Sequence, residues 1–255
     1  MFAMMCLDFA FRTHVGHVRT SNQDAVGCHP DIGLFLIADG MGGHANGERA
    51  ARMAAEEIPA IFRELAESSS TPFAPEQASL NDRGRHALNA AIVAANHSIF
   101  QAGALGGRHL SMGTTVVALR IDVGSKQARW AHVGDSRLYR LRDGVLELLT
   151  ADHTQFGRTY ANSRQPPVDL PHTNQLQAAV GIGPQVMVSS GQDAAQSRDC
   201  FLLCSDGISG MLPAATLHEL LRGGNDAAAK ADALLVQALD RGGRDNASVI
   251  VVRVD

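Results

Sequence analysis

Lysine is nearly missing from this chain. Lys126 and Lys230 are the only two among 22 basic residues, against 26 acidic ones, and the formal net charge is −4. Such a balance leaves no positive footprint for a phosphate backbone, so nucleic acid is not an expected partner. Apolar runs are short as well. None approaches the roughly 18 residues that read as a membrane span, and no membrane partner is expected. Cysteine is scarce: Cys6, Cys28, Cys200 and Cys204 make up the whole set. Read as a strand, "CFLLC" separates its two thiols by roughly 13 Å, whereas a disulfide needs α-carbons within about 7 Å. Four thiols in apolar runs fit a reduced, cytoplasmic protein. The opening "MFAMMCLDFAFR" lacks a basic flank and is interrupted by Asp8, so a first core strand is expected there, not a secretion signal.

What the chain has is length and apolar content. Its 255 residues are 45% hydrophobic, enough to bury a sizeable core, in one large domain or equally in two small ones. Runs rich in Val, Ile, Leu and Phe near 5–11, 33–38, 114–121, 128–133, 199–204 and 247–254 are bounded by Gly, Asp or Asn, as strands are. "RLYRLRDGVLELLT" (137–150) predicts a hairpin turning at Asp143-Gly144. Apolar residues at three- and four-residue steps predict helices over 48–66 and 84–100, the first with a kink or break at Pro59. A third stripe, Ala231, Leu234, Leu235 and Ala238, follows a cap at Asn225 or Asp226. The order of these elements is not the strand–helix alternation of a parallel sheet. It predicts an α+β fold of mainly antiparallel sheets with helices packed outside.

One stretch raises a chemical question. In "LFLIADGMGGHANGE" (34–48) an apolar strand ends on Asp39, amid four glycines. Residues 40–45 formally match a dinucleotide-binding G-x-G-x-x-A. That unit needs a second strand ending in an acid about twenty residues later, where this sequence is still helical. A tight turn would explain one aspartate. The pattern recurs, however: Asp206 in "FLLCSDG", Asp135 in "WAHVGDSR", Asp245 in "GGRDNASVIVV" and Asp24 in "RTSNQDA" all flank strands. If these ends converge, repulsion and desolvation are costly unless a divalent cation binds. Oxygen donors without a matching His or Cys cluster select Mg²⁺ or Mn²⁺. The glycines are expected to keep the rim open for ions, water and substrate. Two ions about 3.5–4 Å apart suit in-line attack of water at phosphorus, and Arg19, five residues before Asp24, supplies the planar cation a phosphate needs.

"VRTSNQDA", "DGMGGHANGE", "MGTTVVAL", "HVGDSRLYRL", "LTADHT", "AVGIG", "LLCSDGIS" and "RDNASVIVV" occur in the order and approximate spacing of a known family. Over residues 15–254 the chain resembles the metal-dependent serine/threonine protein phosphatases of type 2C, and its compact bacterial members most. The resemblance implies a central antiparallel β-sandwich flanked by helix pairs, with a flap over about 152–180. It also implies roles. Asp39 would bridge two ions, with the Gly40 carbonyl on one of them, and Asp206 and Asp245 would hold the other. Asp135 with Asp206 would take a third, weaker ion. Arg19 would grip the substrate phosphate, and Asp24 would hold a water of the metal shell, so Arg19, Asp24 and Asp39 form the catalytic set. The expected partners are phosphorylated proteins, namely a Ser/Thr kinase and its targets, and a monomer is expected. Two departures stand out: Met41 occupies the place of a histidine proposed as general acid in eukaryotic members, and the flap carries "SRQPPVDLP" in place of an acidic middle. A catalytically silent phosphoprotein binder is the rival reading, and retention of Asp39, Asp135, Asp206 and Asp245 argues against it.

Overall fold

A computed structural model describes residues 6–42, 44–67, 80–104, 112–155, 157, 176–224 and 226–255. In chain order the elements are β1 (Leu7–His14), β2 (Asp24–His29), β3 (Leu34–Met41), α1 (His44–Glu67), α2 (Leu80–Ala104), β4 (Gly113–Thr114), β5 (Val116–Asp122), β6 (Gln127–Val133), β7 (Arg137–Arg142) and β8 (Val145–Leu148). They continue with β9 (Ser189–Ala194), β10 (Cys200–Cys204), α3 (Asp206–Ser209), α4 (Ala214–Arg222), α5 (Ala227–Asp240) and β11 (Ala247–Val254).

Two antiparallel sheets result. One runs β1-β11-β10-β7-β8, the other β2-β3-β5-β6-β9 with β4 added to the end of β3. Period-two alternation makes the layers. On β3, Phe35 and Ile37 face the other sheet, together with Val117 and Leu119 of β5, Phe201 and Leu203 of β10, and Ile250 and Val252 of β11. Leu34, Leu36 and Ala38 point the opposite way, onto Ala54, Ile58, Leu88, Ile92 and Ile99 of α1 and α2. Leu202, Val249 and Val251 likewise meet Leu217, Leu221, Ala231 and Leu234 of α4 and α5. The arrangement is the expected α+β sandwich between helical layers.

Several local expectations hold. Arg142 pairs with Val145, which leaves Asp143 (φ +49°) and Gly144 (φ +79°) as a two-residue hairpin loop. Asp226 caps α5, its side chain accepting from the Ala229 amide at 2.8 Å; the alternative cap, Asn225, lies outside the described residues. Two expectations need correction. Of the kink or break expected at Pro59, the break does not occur: the first helix runs from His44 to Glu67 through the proline, with Ile58 and Phe62 beside it buried. Strand β9, "SSGQDA", was not expected, because it is polar and lies at a sheet edge, held to β6 by its backbone ladder. Among the described residues no helix is long and apolar enough to cross a membrane.

Candidate metal centre

The alternation that buries Phe35 and Ile37 carries Asp39 onto the same inner face, at the end of the sandwich. Asp24 is its direct cross-strand partner on β2, so two carboxylates share one face of one sheet. The other sheet delivers its own. Ser205 follows β10, and Asp206 is the first residue of the short helix α3. Asp245 lies two residues before β11, and Asp135 sits in the turn between β6 and β7. All five aspartates singled out in the sequence therefore come to one end of the fold.

Their charges confirm the convergence. The Asp39 carboxyl is held well above the usual carboxylate range, first by burial and then by Asp24, Asp206, Asp135 and Asp245. Burial and Asp245 push Asp206 up to about 6, opposed by a hydrogen bond with Asp39 and by Arg19. Burial raises Asp24 to about 6, against the hydrogen bonds it accepts from Ser248 and Ser205. Asp135 rises to about 7 through burial, Asp206 and Asp152. Arg19 is the cation that faces this group: its Nη2 donates to Asp245 Oδ2 at 2.7 Å, and it also feels Asp206 and Asp39.

The donor set suits a hard divalent ion. Oδ1 of Asp24 and Oδ1 of Asp206 are buried and, among the described residues, have no hydrogen-bond partner. Mutually repelling carboxylates with orphaned oxygens are what a bound cation relieves. Among the described residues no group of three or more His, Cys, Asp or Glu side chains is drawn close enough to hold a metal by itself; what calls for an ion is the mutual repulsion and the two unpartnered oxygens. The dinucleotide alternative fails on topology: β3 pairs antiparallel with both β2 and β5, so no parallel crossover unit exists around its glycines.

The glycines do a different job from the one expected of them. A Cβ on Gly40 would lie 2.2 Å from the Gly47 carbonyl oxygen, and one on Gly207 would lie 1.9 Å from that of Asn246. They allow backbones to pack tightly behind the aspartates, with β3 against the first turn of α1 and α3 against the start of β11. At Gly40 and Gly207 the missing side chain makes room for backbone, not for ions, water or substrate.

Several supporting residues escaped the sequence reading. Asn246, 4% exposed, donates to the Val15 and Ser21 carbonyls and accepts from the Gln23 amide, which fixes the loop bearing Arg19. Ser205 Oγ donates to Asp24 Oδ2 at 2.9 Å. Arg137 and Asp152 form a fully buried ion pair, Nη2 to Oδ2 at 2.7 Å, just beyond Asp135. Asn246 and Ser205 are each adjacent to a recognised aspartate, and that adjacency was the available signal. His132, buried, and His153, half-buried, form a pair beside this centre. Their rings lie 4.6 Å apart, burial lowers both to about 4, and His153 accepts from the Gly134 amide beside Asp135. Residues 158–175, the middle of the expected flap, lie outside the described residues. Its two ends meet: Thr154 pairs with Leu176, and the Gln177 amide donates to the His153 carbonyl at 2.8 Å.

The comparisons agree with this geometry. A family model described as Protein phosphatase 2C matches residues 13–240. The serine/threonine phosphatase stp of Listeria monocytogenes serotype 4b (strain F2365) is 33% identical over 251 residues, covering 96% of this chain and 95% of the relative. Among solved structures, PppA, described as a key regulatory component of T6SS in Pseudomonas aeruginosa, superposes with a TM-score of 0.80 at 32% identity, covering 98% of each chain. The catalytic domain of the serine/threonine protein phosphatase PstP, solved with two manganese ions, superposes with a TM-score of 0.76 at 31% identity over 98% of this chain and 99% of that one.

Proposed function

The chain belongs to the protein phosphatase 2C family, and from that premise we propose how its acidic centre divides the work. It is a metal-dependent serine/threonine protein phosphatase, a phosphoric monoester hydrolase that acts on phosphorylated proteins. In our reading Asp39, the Gly40 carbonyl, Asp206 and Asp245 would hold two divalent ions, Mn²⁺ or Mg²⁺, with Asp39 contributing to both. Asp135 with Asp206 would hold a third, weaker one. The observation that carries this is the gathering of Asp39, Asp135, Asp206 and Asp245, with Asp39, Asp135 and Asp206 raised by burial and then by neighbouring carboxylates and with Asp206 Oδ1 unpartnered.

When bound, the ions lower the pKa of water and neutralise charge at phosphorus, so hydrolysis needs no phospho-enzyme. The chain's own groups supply orientation. Arg19 is half-exposed at the rim, and its planar fork matches two phosphate oxygens. Asp24, anchored by Ser205 and Ser248 and left with a buried, unpartnered Oδ1, would orient a water of the metal shell. Met41 has no proton to give. The leaving alkoxide then draws its proton from water, not from the residue at this position.

The substrate is proposed to be a Ser/Thr kinase and its targets, in keeping with the regulatory description of PppA. The 152–180 flap is proposed to shape that choice. The proposed site residues come from both sheets of one fold, which supports residues 1–255 acting as a single catalytic domain; a monomer is proposed with it. A cytoplasmic setting is supported by four free thiols, with burial pushing Cys28 and Cys204 up to about 12. The test is hydrolysis of a phosphothreonine peptide with Mn²⁺, with EDTA, and by Asp206→Ala. Activity that requires Mn²⁺ and collapses in the variant is expected. A folded wild-type protein inactive with both Mn²⁺ and Mg²⁺ would instead favour the silent-binder reading. For the partner, cells carrying Asp206→Ala should accumulate phosphorylated kinase and targets; unchanged phosphorylation overturns that pairing.

A further inference from the structure

Strand β3 changes neighbours on one side as it reaches the metal centre. Its ladder with β5 runs only from Leu34 to Ile37, two residues short of Asp39. Beyond that point the two-residue strand β4 takes over, pairing Gly40 with Thr114 and Met41 with Gly113. The Asp39 carbonyl is held by the Thr115 amide at 2.8 Å and by Thr114 Oγ1 at 2.9 Å. A strand that short does not hold itself in place.

Its outer edge is completed by the segment 179–183. The amides and carbonyls of Thr114 and Val180 bond reciprocally at 2.9 and 2.8 Å. The next residue, Gly181, has φ +90°, and a Cβ there would lie 2.2 Å from Ile99 Cγ2. This backbone is therefore pressed against α2. Asn96, on α2 and only 1% exposed, clamps it there. Its Oδ1 accepts from the Gly181 amide at 2.7 Å, and its Nδ2 donates to the Gly183 carbonyl at 3.1 Å. A buried amide facing an apolar helical layer is costly unless both its ends are matched. Here both are matched by the one segment that braces β4.

We propose that Asn96 is a positioning residue for the metal centre: through Val180 and Thr114 it fixes the backbone that carries Asp39. The inference rests on Asp39 being a metal ligand, as proposed above. Its logic is that ligand geometry tolerates errors of only about half an ångström. A residue that sets the position of β4 therefore sets metal affinity without touching the metal.

The experiment is calorimetric titration of the EDTA-stripped full chain with Mn²⁺, alongside thermal melts. Asn96→Ala and the near-isosteric Thr114→Val should each bind Mn²⁺ about tenfold more weakly, the factor that one lost hydrogen bond represents. Their kcat should recover at saturating Mn²⁺. Ile92→Ala, a fully buried site on the same helix, is the control for plain destabilisation; it should melt lower yet bind Mn²⁺ as the wild type does. Wild-type Mn²⁺ affinity in folded Asn96→Ala, or equal weakening in Ile92→Ala, overturns the proposal. If Asn96→Ala does not fold, Asn96→Leu, which keeps the volume and loses both hydrogen bonds, decides on the same criterion. Asp39→Asn keeps the two failures apart: should it bind Mn²⁺ like the wild type, the ligand assignment itself falls, and the positioning role with it.

Discussion

Asp24→Asn takes one charge out of a crowded acidic centre while keeping the shape of the side chain. The Asp24 carboxyl is raised from its ordinary value near 3.8 to about 6, chiefly by burial, with Asp206 and Asp245 adding to the effect and Ser248 and Ser205 opposing it. Two units at about 1.4 kcal/mol each make an ionised Asp24 cost the metal-free fold about 3 kcal/mol. The sign follows from linkage. A carboxyl whose pKa is higher folded than unfolded binds its proton more tightly in the native state, so the penalty is full above pH 6. It shrinks as pH falls through 6 and is gone below the unfolded value. In EDTA at pH 8 the asparagine variant should therefore be more stable. At about 2–4 °C per kcal/mol for a chain of this size, the melting temperature rises by up to about 6–12 °C. That is an upper figure, because the new Nδ2 must find an acceptor. The gap should close on acidification to pH 4 and narrow in Mn²⁺, which stabilises the wild type by binding it. Activity in Mn²⁺ should fall, since Asp24 no longer orients water. The assay is melting of both proteins in EDTA from pH 4 to 8. A variant that melts at or below the wild type at pH 8, or a gap that does not change with pH, refutes the reasoning.

Three further outcomes follow from the geometry. Asp152→Ala leaves the Arg137 guanidinium buried and without its carboxylate and should cost about 3–5 kcal/mol in urea unfolding; a loss under about 1 kcal/mol contradicts it. Arg19→Ala should lower kcat/KM for a phosphopeptide by about tenfold to a hundredfold, the worth of a charge-assisted contact. Because the same change frees Asp245 from its ion pair, Mn²⁺ binding should not weaken in titration calorimetry. Gly207→Ala places a Cβ where the Asn246 carbonyl oxygen stands. It should displace α3 and Asp206, costing about 1–3 kcal/mol and most of the Mn²⁺ affinity, measured by melting and titration.

The features legible from sequence were those written locally. Strands β3, β10 and β11 announce themselves by apolar runs, and their terminal Asp39, Asp206 and Asp245 are visible because the apolar pattern stops on a charge. The tight turn at Asp143-Gly144 is legible for the same reason, since its two residues tolerate positive φ. What lay hidden depends on chain segments far apart. Strand β9 has no apolar alternation and exists because β6 offers it a ladder. The Arg137–Asp152 pair joins residues fifteen apart in separate segments, and nothing in either neighbourhood marks them as buried partners. The glycines stand out in the sequence, but their purpose does not, because composition reveals a missing side chain and not the backbone that fills its place. Asn96 reads as one polar residue on an apolar helix, and only the fold supplies Gly181 and Gly183 to match it.

Carboxylates from the ends of two sheets are proposed to hold a pair of ions at Asp39. Electron paramagnetic resonance of the EDTA-stripped chain titrated with Mn²⁺ tests this most directly, because free Mn²⁺ gives a strong signal that binding removes. We expect the wild type to take up at least two ions per chain before free Mn²⁺ appears, and Asp39→Asn, folded by circular dichroism, to lose that uptake. Two ions bound as tightly by Asp39→Asn as by the wild type would contradict it.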